Sequence, residues 1–173
     1  AWRQRRAAQP LLPPRILRSR RTVVADVVTF LMAGGMFGFM IVSVLMLRGV
    51  LGYGARDAAL AMLPAPVVIG TISLGLSSRL IGRFGHRRML LVGLPLIAAG
   101  LLLLARVPHD AGYVVDVLPA MLLIGAGFGS ALPAVMATGM ADVPPEDSGT
   151  ASGLFNTVLQ FGGAIGLSVL TVV

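Results

Sequence analysis

The sequence predicts an all-α integral membrane protein with five transmembrane helices. Three observations carry this. Charged residues make up 12% of the chain, against about 25% in a typical soluble domain. The apolar residues, 56% of the total, gather in five runs near the length that crosses a bilayer core, about 20 residues of helix. The charges fall between the runs, and the mean hydropathy is +0.88.

Residues 1–21 form a basic linker. Arg3, Arg5, Arg6, Arg15, Arg18, Arg20 and Arg21 alternate with Pro10, Pro13 and Pro14, which interrupt any long helix. Trp2, Leu11, Leu12, Ile16 and Leu17 stand beside the arginines. Two readings stay open: a segment lying on an anionic membrane face, or an unstructured linker.

The transmembrane bundle then covers residues 22–173. The first span, 22–47, carries Gly34, Gly35, Met36, Gly38 and Met40. Asp26 lies about one turn inside it. An acid in a span is a proton-relay candidate, but a helix N-terminal acid favoured by the dipole, near Arg20 and Arg21, fits the same position. The second span covers 58–77 and the third 89–105. The stretch from Leu90 to Ala105, LLVGLPLIAAGLLLLA, has no polar side chain, so it has none to offer a cavity. The fourth span, 114–140, opens with Asp116, read as a terminal or capping acid. It also holds Gly125, Gly127, Gly129, Pro133 and Met136. The fifth, 152–173, contains Asn156 and Gln160, four apart on one helical face. Gly162, Gly163 and Gly166 follow.

These runs are apolar on every side, and a chain of this length cannot bury five such helices in a soluble core. They lack the two-residue alternation of a closed barrel. With no cysteine and only His86 and His109, neither a thiolate nor a multi-histidine metal site is expected. No serine, histidine and acid lie together in sequence, and no Gly-rich stretch follows a strand. The expectation is therefore no enzyme, no cofactor and no metal. The net charge of +7 does not indicate nucleic acid, because the arginines sit between apolar runs.

The same arginines orient the chain. Seven precede the first span and four, Arg79, Arg83, Arg87 and Arg88, lie after the second. The opposite side has Arg48, Arg56 and Arg106, with His109 and Asp110 beside the last. Cytoplasmic segments carry the basic excess, so the Ala1 side and the segments after the second and fourth spans are expected in the cytoplasm. The lipid bilayer is the obligatory partner.

Residues 78–90, SRLIGRFGHRRML, resemble the cytoplasmic loop signature of the major facilitator superfamily, G-x-L-a-D-R-x-G-R-R-x-L. Leu80, Arg83, Gly85 and Arg87 match in register, while Ser78, Gly82 and His86 replace a glycine, the aspartate and an arginine. The lost aspartate resembles the weaker copy in the C-terminal half. A generic positive-inside loop explains the arginines equally. The run from Val143 to Thr157, then Gln160 to Gly166, and the stretch from Gln9 to Gly54 are similar to the C-terminal half of the fourteen-helix drug:proton antiporters.

The resemblance implies a five-helix portion of a C-terminal six-helix bundle, corresponding to the ninth to thirteenth helices, with the N-terminal half and last helix missing. It implies proton-coupled efflux of small amphipathic molecules by alternating access, from a bacterial plasma membrane, by a protein monomeric when intact. A membrane enzyme or channel-like subunit is the alternative. The resemblance also places the first and fourth spans around a central cavity, the second and fifth against the other half, and the third outside. On that basis Met36, Met40, Met136, Asn156 and Gln160 are substrate-cavity candidates, and a leucine at Gly93, in the third span, should be tolerated better than one at Gly166. Methionine suits varied apolar ligands. Gly34, Gly38, Gly125, Gly129, Gly162 and Gly166 are instead expected to let helices approach.

Overall fold

Helices follow one another through the whole of the computed structural model, which describes residues 19–108 and 112–172. The helices are α1 (Arg20–Gly49), α2 (Ala55–Ala61), α3 (Pro64–Thr71), α4 (Ser77–Phe84), α5 (His86–Ala105), α6 (Leu118–Met140) and α7 (Ser148–Val172). Wider π-helical turns, Ile72–Leu76 and Tyr113–Val117, precede α4 and α6. There is no strand among the described residues.

Four stretches among the described residues are long and apolar enough to cross a membrane: Arg20–Gly49, Ala55–Gly75, His86–Ala105 and Tyr113–Met140. The expected fifth span falls on α7, which has 25 residues. The readings of residues 1–18, His109 and Asp110 lie outside the described residues.

Local chemistry sets the ends of α1. Ser19 is extended, and its Oγ accepts from the Thr22 amide at 3.4 Å, an N-cap that satisfies one orphan donor. At the far end Arg48 occupies the last turn, where a cation suits the helix dipole. The chain then turns through Gly52, whose φ of 67° needs a residue without Cβ.

The second span, expected over 58–77, is built from several helical pieces rather than one. Pro64 and Pro66 supply no amide hydrogen, so the ladder of α2 stops at Ala61 and α3 restarts at Pro64. Further on, the Thr71 hydroxyl donates to the Val67 carbonyl, beside the start of the π turn. The helix then runs to Phe84, well into the stretch read as a loop. Leu80 and Arg83 therefore lie on α4, Arg87 lies in the first turn of α5, and Gly85 alone joins them with φ 77°. Helix propensity prevails because Gly85 is the one residue there that must leave the helical region.

In lipid no hydrophobic force drives helix against helix, so close backbone approach and dispersion have to hold the bundle. The glycines mark where this happens. A Cβ built on Gly93 would lie 2.8 Å from Ala131 Cβ and 2.8 Å from Ser130 Oγ, and one on Gly100 would lie 2.9 Å from the Ala120 carbonyl oxygen. So α5 is pressed against α6 along Met89, Gly93, Ile97, Gly100 and Leu104, all buried. The expectation that the third span faces lipid at Gly93 is thus corrected, although a Cβ at Gly166 would meet Gly34 Cα closer still, at 2.5 Å. The helix does expose Leu91, Val92, Leu102 and Leu103, but Gly93 is on its packed face.

On the other flank of α6, a Cβ at Gly125 would meet the Ala65 carbonyl oxygen at 3.0 Å, and one at Gly129 the Ile69 carbonyl oxygen at 3.0 Å. Helix α1 closes a third side: the Thr22 hydroxyl donates to the Gly139 carbonyl at 3.1 Å. So α6 is enclosed by the chain's own helices, with Leu122 and Met136 among its exposed positions. Finally α7 packs on α1. A Cβ at Gly166 would fall 2.5 Å from Gly34 Cα, and one at Gly162 would fall 2.5 Å from the Phe30 carbonyl oxygen.

Candidate functional site

The break in the second span leaves an apolar cavity of about 380 Å³ between α1 and the α2–α3 corner. Met36, Phe37 and Met40 line it from α1, and Met62, Pro66 and Ile69 line it from the broken span. The geometry follows from the prolines: the chain turns at Met62 and Leu63 instead of continuing along α1. Three thioethers and the phenyl rings of Phe37 and Phe39 face one space, a soft and polarisable lining that can re-pack around different apolar shapes.

A hydrogen bond supports the corner. Its proline break leaves the Ala61 carbonyl without a helical donor, and the Tyr113 hydroxyl supplies one at 2.6 Å. The Tyr113 ring lies 6.3 Å from that of Tyr53, tilted by 39°, a favourable aromatic arrangement. The start of the fourth span is in this way tied to the wall of the cavity. Asp116, in the same π turn, accepts from the Gly112 amide at 2.8 Å, a terminal-capping contact.

The sequence candidates divide. Met36 and Met40 come together in this cavity, joined by Met62 and Phe37, with Tyr113 bonded to the corner beside it; sequence reasoning passed over these three. Met136 lies outside its lining, half-exposed on α6. Asn156 and Gln160 are exposed on α7, and Asn156 Nδ2 donates within its own helix to the Ser152 carbonyl at 3.1 Å. Asp26 is half-buried on α1 and has no hydrogen-bond or ion-pair partner among the described residues. Arg21, expected near it, pairs instead with Asp142 at 3.0 Å. Of the loop-motif residues, Leu80 lines a separate apolar cavity with Phe84 and Met89, and the Arg83 guanidinium lies 5.8 Å from the centre of the Phe84 ring. Gly34, Gly125, Gly129, Gly162 and Gly166 stand at the helix contacts described above, and Gly34, Gly38, Gly162 and Gly166 also line an apolar groove between α1, α5 and α7. No group of three or more acids and histidines that could hold a metal occurs among the described residues.

Comparison with known proteins gives one consistent result. The chain is 34% identical over 172 residues to a puromycin resistance protein of Streptomyces alboniger, covering 98% of this chain and 34% of that protein. It is 31% identical to a cephamycin export protein of Amycolatopsis lactamdurans, covering 96% of this chain and 34% of the relative. It is 30% identical to a multidrug resistance protein of Mycobacterium tuberculosis, covering 98% and 31%. The chain thus spans about a third of the length of these curated relatives. The sequence profile of the Major Facilitator Superfamily matches residues 2–167. With a bundle of apolar helices and a match over nearly its whole length, the chain belongs to the Major Facilitator Superfamily.

Proposed function

We propose that this chain is part of a proton-coupled exporter of small amphipathic molecules that works by alternating access, and that Met36, Met40 and Met62 receive the apolar part of the substrate. The observation that carries this is the cavity itself: three methionines, two from α1 and one from the turn of the broken span, around about 380 Å³, with no ionisable residue in its lining. An apolar pocket of this size holds a hydrophobic fragment and leaves a polar or charged end to other groups. The relatives named for antibiotic resistance and export support the direction of transport. Asp26, unpartnered among the described residues, is the acid proposed to exchange the proton. The other half of the bundle would face this one around a midplane site, which fits the third of the relatives' length that the chain spans. We place the protein in a bacterial plasma membrane with the Arg20–Arg21 end cytoplasmic, after the arginine bias.

The test uses the parent transporter in cells loaded with a lipophilic fluorescent amine. Efflux that stops when a protonophore collapses the gradient, and that weakens in Met36→Gln and Met40→Gln with a raised KM, supports the reading. Efflux indifferent to the gradient sinks the proton coupling, and unchanged KM in both variants sinks the assigned cavity.

A further inference from the structure

Three arginines from two helices, Arg20, Arg21 and Arg87, converge on an open depression of about 920 Å³, with Ser19, Val24, Thr138 and Asp142 completing its lining. The charge there is out of balance. Asp142 is the one carboxylate in the lining, and it is already engaged: Arg21 Nη1 donates to it at 3.0 Å and Ser19 Oγ at 3.3 Å. Arg20 and Arg87 have no carboxylate partner among the described residues. Both lie in first turns that contain no acid, those of α1 and α5, and α5 has no side-chain cap at Gly85. Arginines at helix N-termini add to the positive end of the dipole rather than offset it. The described residues therefore concentrate positive potential in one place, with Asp142 offsetting one of the three arginines.

The surroundings are apolar on the membrane side. Val24, in the lining itself, is 52% exposed, and Val27, one turn deeper on α1, is 54% exposed. Arg20, Val24, Val27 and Leu31 follow one another at helical spacing on one exposed stripe. A small free anion needs only the arginines. A lipid uses both halves of the feature, its phosphate against the guanidinium groups and an acyl chain along the valines.

We propose that this depression binds the phosphate headgroup of an anionic phospholipid from the leaflet that the arginines face. The proposal rests on the membrane placement but not on the export reading, and its test involves no transport. Purified chain in a neutral detergent is titrated with phosphatidylglycerol or with phosphatidylcholine of the same chain length, and retained lipid is counted by native mass spectrometry. Phosphatidylglycerol should be retained in preference. Removing a surface arginine costs about five-fold in affinity for an anionic lipid, so Arg20→Gln with Arg87→Gln should abolish the preference. Asp142→Asn removes the competing carboxylate and should strengthen phosphatidylglycerol binding. That gain keeps the test decisive should the double variant fold poorly. Arg48→Gln and Arg106→Gln, at the opposite end, should change nothing.

Equal retention of the two lipids overturns the proposal. So does weakened or unchanged binding in Asp142→Asn, or a loss in Arg106→Gln equal to that in the double variant. Displacement of the lipid by an equal concentration of inorganic phosphate would assign the site to free phosphate instead, and overturns it as well.

Discussion

Gly93 has no room for a side chain, since its Cβ would already sit 2.8 Å from Ala131. Overpacking a close helix contact costs about 1–3 kcal/mol and can cost more. Gly93→Leu should therefore lower the midpoint of thermal unfolding in detergent, while Leu91→Ala, on the exposed side of the same helix, should leave it nearly unchanged. Equal midpoints for the two would place Gly93 on a lipid face after all. Tyr113 makes a second prediction at this scale. In Tyr113→Phe the ring remains beside Tyr53 but the Ala61 carbonyl loses its donor. Leaving such a group unpaired costs about 1–3 kcal/mol, and interhelical hydrogen bonds in membranes average nearer 0.6 kcal/mol. A loss of about 1 kcal/mol in a reversible unfolding titration is expected. No change would mean that water or lipid replaces the hydroxyl. Neither role was legible in the sequence: a glycine in an apolar run reports that a contact is possible without naming its partner, and Tyr113 is 52 residues from Ala61.

At the scale of elements, α1 and α7 meet through Gly34, Gly162 and Gly166, with Gly166 and Gly34 touching backbone to backbone. Any side chain at Gly166 has to push the two helices apart. Gly166→Leu should insert normally, because leucine is apolar, yet separate the pair. Paired spin labels on the ends of α1 and α7 should report a longer distance than in the unmodified chain. An unchanged distance would show that the contact is not close. The second span teaches a different lesson. Its prolines were visible in the sequence and mark a boundary by their missing amide hydrogens. The corner they produce, and the cavity beside it, depend on how α1 passes the break. Pro64→Ala with Pro66→Ala should straighten the span and weaken binding of an apolar fluorescent probe several-fold relative to the unmodified chain. Undiminished binding would separate the cavity from the break.

Across the whole molecule the spans alternate in direction, so Arg20, Arg21, Arg87 and Asp142 gather at one end while Tyr53, Ala61 and Tyr113 gather at the other. With the arginine bias, cysteines placed at Arg83 and Ser148 should react with an impermeant thiol reagent only from the cytoplasm, and one at Arg106 only from outside. Labelling of Arg106Cys from the cytoplasm would invert the topology. On the proposed reading, in which a second half completes the cavity, this chain alone, reconstituted in vesicles, should not move a dye against a proton gradient; uptake would contradict that reading. The sequence alone determined the helical class, the membrane setting and the placement of the apolar runs, because each follows from composition and from spacing along a single helix. It also held the superfamily resemblance, carried by Leu80, Arg83, Gly85 and Arg87. Tertiary structure decided which face of each helix is occupied. It set Gly93 against α6, took Arg21 away from Asp26 to Asp142, and joined Met62 to Met36 and Met40. The physical reason is that an apolar helix in lipid has no hydrophobic stripe to announce its inner side. Its orientation is fixed by steric fit between residues far apart in the chain.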